Sequence, residues 1–392
     1  MMKSAVTECP LWPSKLRSLN LEAIAALVAA SMSGLVSGLT TAATCWPRSH
    51  PDFGHRHQAQ LAQLDRPGVG TSNGFVLVLV DMKKLDGIHH ISSITADAPN
   101  NVAFYAGVIG LRLVKKTVNQ DDPTVYHLFY ADENASAGAD MTFFEYPGVA
   151  PGRAGAGMIH RIAFRVASGK ALDFWQRRLG TAGITAERTE ASLMFADPEG
   201  LGLELTIADV SDAPLMAEHP EIPTDVALQG FAGVRAYSST PDRSRTLLED
   251  VLGFSSTGPG RFESRGERRG SFYVYDPAPE SRGLSGAGTV HHVAWSSIME
   301  DHAAWREKVV AAGARPTPII DRYYFRSIYF REPSGVLFEI ATIGPGFTTD
   351  EPLEHLGERI SLPPNFEHLR QEVERTLTPI PNPRAAARAS SS

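Results

Sequence analysis

Gly87-Ile88-His89-His90-Ile91-Ser92-Ser93-Ile94 and Val290-His291-His292-Val293-Ala294-Trp295 decide how the chain is read. Each is a short, mostly apolar run with a His-His pair at the same place, and each reads as a strand. After the first, Ala98 to Ile109 carries Val102, Phe104, Tyr105 and Val108 at helical spacing, with Gly110 as a stop. Extended runs Tyr126-His127-Leu128-Phe129-Tyr130 and Met141-Thr142-Phe143-Phe144 follow, separated by a polar, Gly-containing loop. After the second, a helix is expected from Asp301 to Ala312, and the unit closes at Val336-Leu337-Phe338-Glu339-Ile340.

The same order of strand, helix and about three strands occurs twice more. One copy opens at Met158 to Phe164, with a helix from Ala171 to Leu179 and a close at Gly202 to Thr206. The other opens at Phe231 to Tyr237, with a helix from Pro241 to Leu252 and a close at Phe272 to Tyr275. Asp197-Pro198-Glu199-Gly200-Leu201-Gly202-Leu203-Glu204 lines up with Glu332-Pro333-Ser334-Gly335-Val336-Leu337-Phe338-Glu339, so a turn and a closing Glu repeat together. An α+β fold of four βαβββ modules follows. Curved sheets pair to bury their faces, and we expect sequence neighbours to pair. Modules 1 and 2 then form a domain over 82–225, modules 3 and 4 a domain over 226–343, and 344–392 is a tail, disordered from Arg384 on.

The 392 residues carry 37 Lys and Arg against 44 Asp and Glu, a net charge of −7, with no long basic cluster, which argues against a nucleic-acid partner. A 43% hydrophobic share excludes wholesale disorder. The two cysteines, Cys9 and Cys45, precede the patterned body, so a metal there must be held by His and carboxylate. Residues 1–81 show no strand pattern. Leu21 to Ala43 crudely resembles a secretory signal or a membrane span, but Glu22 opens it and Ser and Thr dilute it. We favour translation from Met82, with a removed targeting segment or a disordered tail as alternatives, and expect no membrane association of the body.

Candidate chemistry gathers on His89-His90, His291-His292 and Glu339. Side chains alternate along a strand, so only one His of each pair can enter a given cavity. Two imidazoles and a carboxylate on one face commonly hold divalent iron or manganese and leave positions open opposite. Modules 2 and 3 lack the set: Arg161 stands where His292 does, and Ala232, Gly233 and Val234 cannot ligate. One site per chain is expected. Glu204 shares the local frame of Glu339 without a His partner, and Glu145 is a candidate fourth ligand.

These residues resemble the vicinal oxygen chelate superfamily of glyoxalases, bleomycin-resistance proteins and extradiol dioxygenases. More narrowly, the chain resembles the ring-cleaving dioxygenases that act on para-hydroquinones. The resemblance runs from about Leu85 to Gly357 and is sharpest at Ile88 to Ile91, Tyr126 to Asp132, Val290 to Ala294, Tyr324 to Glu339 and Gly346 to Glu351. It implies two vicinal oxygen chelate domains, and His90, His292 and Glu339 as ligands of Fe(II), with Mn(II) as the alternative. It implies His89, His291, Arg322 and Tyr329 as catalytic side chains around the metal. Ser92 stands where a Thr often does, and His127 lies in a matched strand that we read as packing. The implied substrates are a small aromatic of the hydroquinone class and O2, the implied location is cytoplasmic, and homo-oligomers are left open. A glyoxalase-like isomerase or lyase, which a fourth ligand at Glu145 would mark, and a non-catalytic small-molecule binder are the competing readings. A His2Glu site needs neutral imidazoles, so metal binding should weaken in acid.

Overall fold

The computed structural model describes residues 84–380 and 383–384, so the readings of the N-terminal segment, including the start at Met82, lie outside the described residues. Four quartets of strands follow one another. Module 1 has β1 (Ile88–Thr95), β2 (Arg112–Asn119), β3 (Asp122–Ala131) and β4 (Asp140–Glu145). Module 2 has β5 (Met158–Val166), β6 (Glu187–Arg188), β7 (Ser192–Ala196) and β8 (Gly202–Ile207). Module 3 has β9 (Phe231–Ser238), β10 (Ser255–Gly258), β11 (Arg261–Arg265) and β12 (Gly270–Pro277). Module 4 has β13 (Thr289–Ser297), β14 (Ile320–Asp321), β15 (Arg326–Arg331) and β16 (Leu337–Thr342).

A helical segment follows the first strand of every module. In module 2 it is an α-helix, Gly169–Thr181, opened by Ser168, whose hydroxyl accepts from the Ala171 N–H. Ala171, Leu172, Trp175 and Leu179 form its buried stripe, and the Trp175 indole donates to the Val226 carbonyl. Module 4 carries an α-helix at His302–Ala311. In module 1 the expected helix is α over Ala98–Val102 and then widens into a π turn over Ala103–Val108, and module 3 ends its helix the same way at Leu247–Val251. Arg112–Asn119 is a strand buried along its whole length despite Arg112, Lys115 and Lys116.

The strands join in two eight-stranded sheets, and the pairing differs from the expected one. One sheet runs β14-β15-β16-β13-β1-β4-β3-β2 and so unites modules 1 and 4; the other runs β10-β11-β12-β9-β5-β8-β7-β6 and unites modules 2 and 3. In each, the two opening strands meet antiparallel at the centre, so the sheet has an approximate twofold. The described residues belong to one compact unit, with no division near 225. Sequence neighbours meet instead through helices and turns. Tyr105 of module 1 donates to Asp197 of module 2 (3.0 Å), and Arg178 of module 2 donates to the Gly107 and Val108 carbonyls. Ser244 and Tyr275 of module 3 likewise donate to Glu332 of module 4.

The tail is built into the molecule. Phe347, Leu356, Leu362, Val373, Leu377 and Ile380 are buried, and Arg384, expected to be disordered, pairs with Glu133 at 2.7 Å. Among the described residues no helix is long and apolar enough to cross a membrane.

Candidate metal centre

Register across the first sheet collects the site. His90 on β1 lies opposite Ala294 on β13, Ser92 lies opposite His292, and Ala294 in turn lies beside Glu339 on β16, whose other neighbour is Tyr329 on β15. Directly opposed residues share a face, so His90, His292, Glu339, Tyr329 and Ser92 all project to one side.

The other member of each His-His pair does not take the opposite face. Pairing jumps from Ile88–Trp295 to His90–Ala294, leaving His89 as an extra residue, and again from Ser92–His292 to Ser93–Val290, leaving His291 as another. A bulge re-aims its extra side chain. The result is Nδ1–Nδ1 contact within each pair, 3.0 Å for His89–His90 and 2.7 Å for His291–His292. Of the two places left for the second His of each pair, facing elsewhere or supporting the first, the bulges give the supporting one.

The twofold-related histidines have different surroundings. His89 is buried behind Phe325, which also packs on His90, and it hydrogen-bonds the Thr342 backbone. Burial and His90 beside it push its pKa down to about 3, so it is neutral. His291 has an edge open to solvent at the other end of the face, yet desolvation of its ring and His292 beside it push its pKa down to about 3 as well, so it too is neutral.

His90 Nε2, His292 Nε2 and Glu339 Oε2 form a triangle with edges of 3.3, 2.9 and 3.1 Å, and all three residues are buried. Neither Glu339 oxygen makes a well-directed hydrogen bond to these imidazoles despite the short contacts. Ligands at right angles and about 2.1 Å from one ion sit about 3 Å apart. The spacing and the unsatisfied buried oxygens therefore fit a divalent cation on one triangular face. Burial opposes the charge on Glu339, but His90 and His292 hold its carboxyl well below the usual carboxylate range. Burial opposes charge on His90 as well, and Glu339 outweighs it, raising the His90 pKa. The same field favours a bound cation.

Around the triangle, Tyr329 meets the His292 ring edge-on at 5.5 Å, and Arg322 lies over Tyr329 with Nε 3.4 Å from its hydroxyl. Arg322 is fixed from module 1: both its terminal nitrogens donate to Asp121 at 3.1 Å, and Gln120 donates to its carbonyl at 2.8 Å. Burial and Glu339 raise the Tyr329 phenol above its ordinary value, so it is a proton donor at neutral pH.

Several residues at the site were not visible as such in the sequence. Thr142 joins Ser92 (2.7 Å) to His127 Nε2 (3.0 Å), so His127, packed between Phe129 and Phe144, also ends a hydrogen-bonded row that starts beside His292. Asp140 stands beside His90 in the register of β1 and β4, and its carboxylate is near both His89 and His90. Burial pushes its pKa up to about 7. Only strand pairing reveals it, since nothing local marks residue 140. Glu145 is corrected: it accepts from the Ala98 N–H at 2.9 Å at the start of the module 1 helix and joins no metal-competent cluster among the described residues. In the second sheet His160 is the bulged residue, paired with Asp276 at 2.8 Å, and Arg161 and Gly233 fill the positions of the ligands, so no such cluster forms there among the described residues.

The model of the glyoxalase/bleomycin resistance protein/dioxygenase superfamily matches residues 87–205 and 230–340. MhqO of Bacillus subtilis, whose assignment as a ring-cleaving dioxygenase is itself inferred, is 40% identical over 307 residues, 76% of this chain and 97% of its own. The chlorohydroquinone/hydroquinone 1,2-dioxygenase of Sphingobium indicum is 29% identical over 314 residues, 75% of this chain and 97% of its own. A crystal structure from B. subtilis, also assigned by inference as a dioxygenase, superposes with a TM-score of 0.72 at 38% identity, covering 76% of this chain and 99% of that one.

Proposed function

The chain belongs to the glyoxalase/bleomycin resistance protein/dioxygenase superfamily and is closely related to its ring-cleaving dioxygenases; from that premise we propose that it opens a hydroquinone-type aromatic ring with O2 and Fe(II). The observation that carries the reading is the buried His90, His292 and Glu339 triangle with acid–base groups at one open end. Two imidazoles and one carboxylate are the donor set of open-sided non-haem iron sites. Mn(II) is the alternative ion for the same donors.

Iron held there supplies the electron transfer between ring and dioxygen that the side chains cannot. The protein's own work is placement and proton handling. His291, open and 2.7 Å from His292, is placed to take the proton of a phenol entering from its side. Tyr329, neutral beside Arg322, donates a hydrogen bond where negative charge builds, and the guanidinium adds a fixed positive charge. Phe144 packs edge-on against His291 at 5.6 Å and gives the ring an apolar wall. His89, neutral and buried, orients His90 from behind. The placement of Glu145 at a helix start speaks against the four-ligand isomerase reading.

The test is oxygen uptake by anaerobically purified, Fe(II)-loaded protein given hydroquinone, methylhydroquinone and chlorohydroquinone, with metal content measured in the same sample. Oxygen and substrate consumed one to one, dependent on iron, is the expected result. Bound metal without oxygen uptake would move the assignment to carbonyl-polarising chemistry.

A further inference from the structure

We propose that His127 receives the ring hydroxyl lying para to the metal-side oxygen and so makes the cavity selective for para-diols over monophenols; the proposal rests on the ring-cleavage reading above. Three observations carry it. First, a hydrogen-bonded chain runs sideways from the metal-facing triangle: Ser92, directly opposite His292, contacts Thr142 at 2.7 Å, and Thr142 contacts His127 Nε2 at 3.0 Å. It crosses β1, β4 and β3, adjacent strands spaced about 4.8 Å apart, so the outer two stand about 9.6 Å apart, room for a phenyl ring carrying an oxygen at either end with a polar contact beyond each.

Second, His127 is clamped between aromatic rings, with Phe129 at 4.0 Å and Phe144 at 4.2 Å. Phe144 is also the ring that meets His291 and His292. An aromatic ring resting on Phe144 therefore has the two-histidine edge at one end and His127 at the other. Third, Nε2 of His127 is engaged by Thr142 while Nδ1 makes no hydrogen bond among the described residues, and the residue is only partly exposed. That leaves the nitrogen free to meet a bound molecule, and a phenolic hydroxyl can pair with it as donor or acceptor.

The geometry also separates isomers. A para-diol held by one oxygen at the triangle presents the other across the ring. A catechol keeps both oxygens on the metal side, and phenol has none to offer His127. His127 then determines specificity and does not act on the reacting atoms.

The experiment is anaerobic calorimetric binding of hydroquinone and phenol to the Fe(II)-loaded full chain, wild type, His127→Leu and His127→Gln, alongside metal content, melting temperature and kcat and KM in oxygen. Wild type should prefer hydroquinone to phenol by at least about tenfold. His127→Leu should bring that ratio close to one by weakening hydroquinone alone, raising KM more than it lowers kcat. His127→Gln, which keeps a hydrogen-bonding group, should restore part of the preference and serves as the readout if the Leu variant does not fold. An unchanged preference in a folded, metal-loaded His127→Leu, or in His127→Gln a loss of phenol binding equal to that of hydroquinone, overturns the role of His127 while leaving ring cleavage intact. Absence of oxygen consumption by the wild type overturns the ring-cleavage reading and this proposal with it.

Discussion

Two histidines in a row ordinarily face opposite ways on a strand, and here single extra residues on β1 and β13 defeat that rule. The consequence is a paired arrangement in which one imidazole faces the triangle and the next engages it from Nδ1. Exposure then divides the labour. His89→Ala should loosen the metal about 10–100-fold, as removal of an outer partner does, because His90 loses its neighbour and Phe325 cannot replace a hydrogen bond. His291→Ala should retain the metal and lower kcat about 10²-fold or more through the lost proton acceptor. Metal content and single-turnover rates on both variants check this, and equal effects on both would contradict the assignment. Glu339→Gln should abolish metal retention and turnover while the fold survives, since the amide removes the charge that attracts the cation. Full activity in that variant would end the case for the triangle.

Modules, as elements, explain which parts of this were legible in the residues. The four repeats, their helices and Glu339 were readable because apolar spacing and the Pro/Gly turns are local signals. The turn shared by modules 2 and 4 has a structural explanation. Asp197 accepts from the N–H groups of Glu199 and Leu201 and from Tyr105; Glu332 accepts from Ser334 and Val336 and from Ser244 and Tyr275. Each carboxylate fastens its own turn and the preceding module. Asp197→Ala should therefore lower stability by about 2–3 kcal/mol, read as a denaturant midpoint shift, with little change in metal content. What the sequence concealed is set by distant strands. The union of module 1 with module 4, the bulges and the grip of Asp121 on Arg322 depend on residues about 200 positions apart meeting, and the place of Asp140 beside His90 depends on strands of module 1 fifty positions apart; periodicity within a run carries no such information. Glu145, only a candidate fourth ligand in the sequence, stands away from the triangle because parallel pairing aligns it with Thr95 at the far end of β1, where the helix starts.

At the scale of the whole molecule, the sheet that lacks the metal triangle still needs its own fastening, and Asp212 in the connector between modules 2 and 3 supplies it. Its carboxylate accepts from Arg165 on β5 at 2.7 Å, from Arg265 on β11 at 2.6 Å and from the Gly270 N–H on β12 at 3.2 Å, so one side chain ties the connector to both halves of the sheet. Burial opposes its charge, yet Arg265 and Arg165 outweigh it and hold Asp212 well below the usual carboxylate range. Because the folded pKa is depressed, the unfolded chain binds the extra proton and stability falls as pH falls. The contribution is fully present above the unfolded carboxylate pKa of about 3.9 and is lost on descending from there through the lower folded value. Asp212→Asn should cost about 3 kcal/mol near neutral pH, as breaking one side of a buried pair does, and the gap from wild type should narrow as the pH is lowered below about 4. Urea midpoints for both proteins across that range measure it. A gap that stays constant with pH would show that Asp212 acts through shape alone, whereas a narrowing gap with metal content unchanged at neutral pH would show that its charge fastens the connector to the sheet that holds no metal-competent cluster among the described residues.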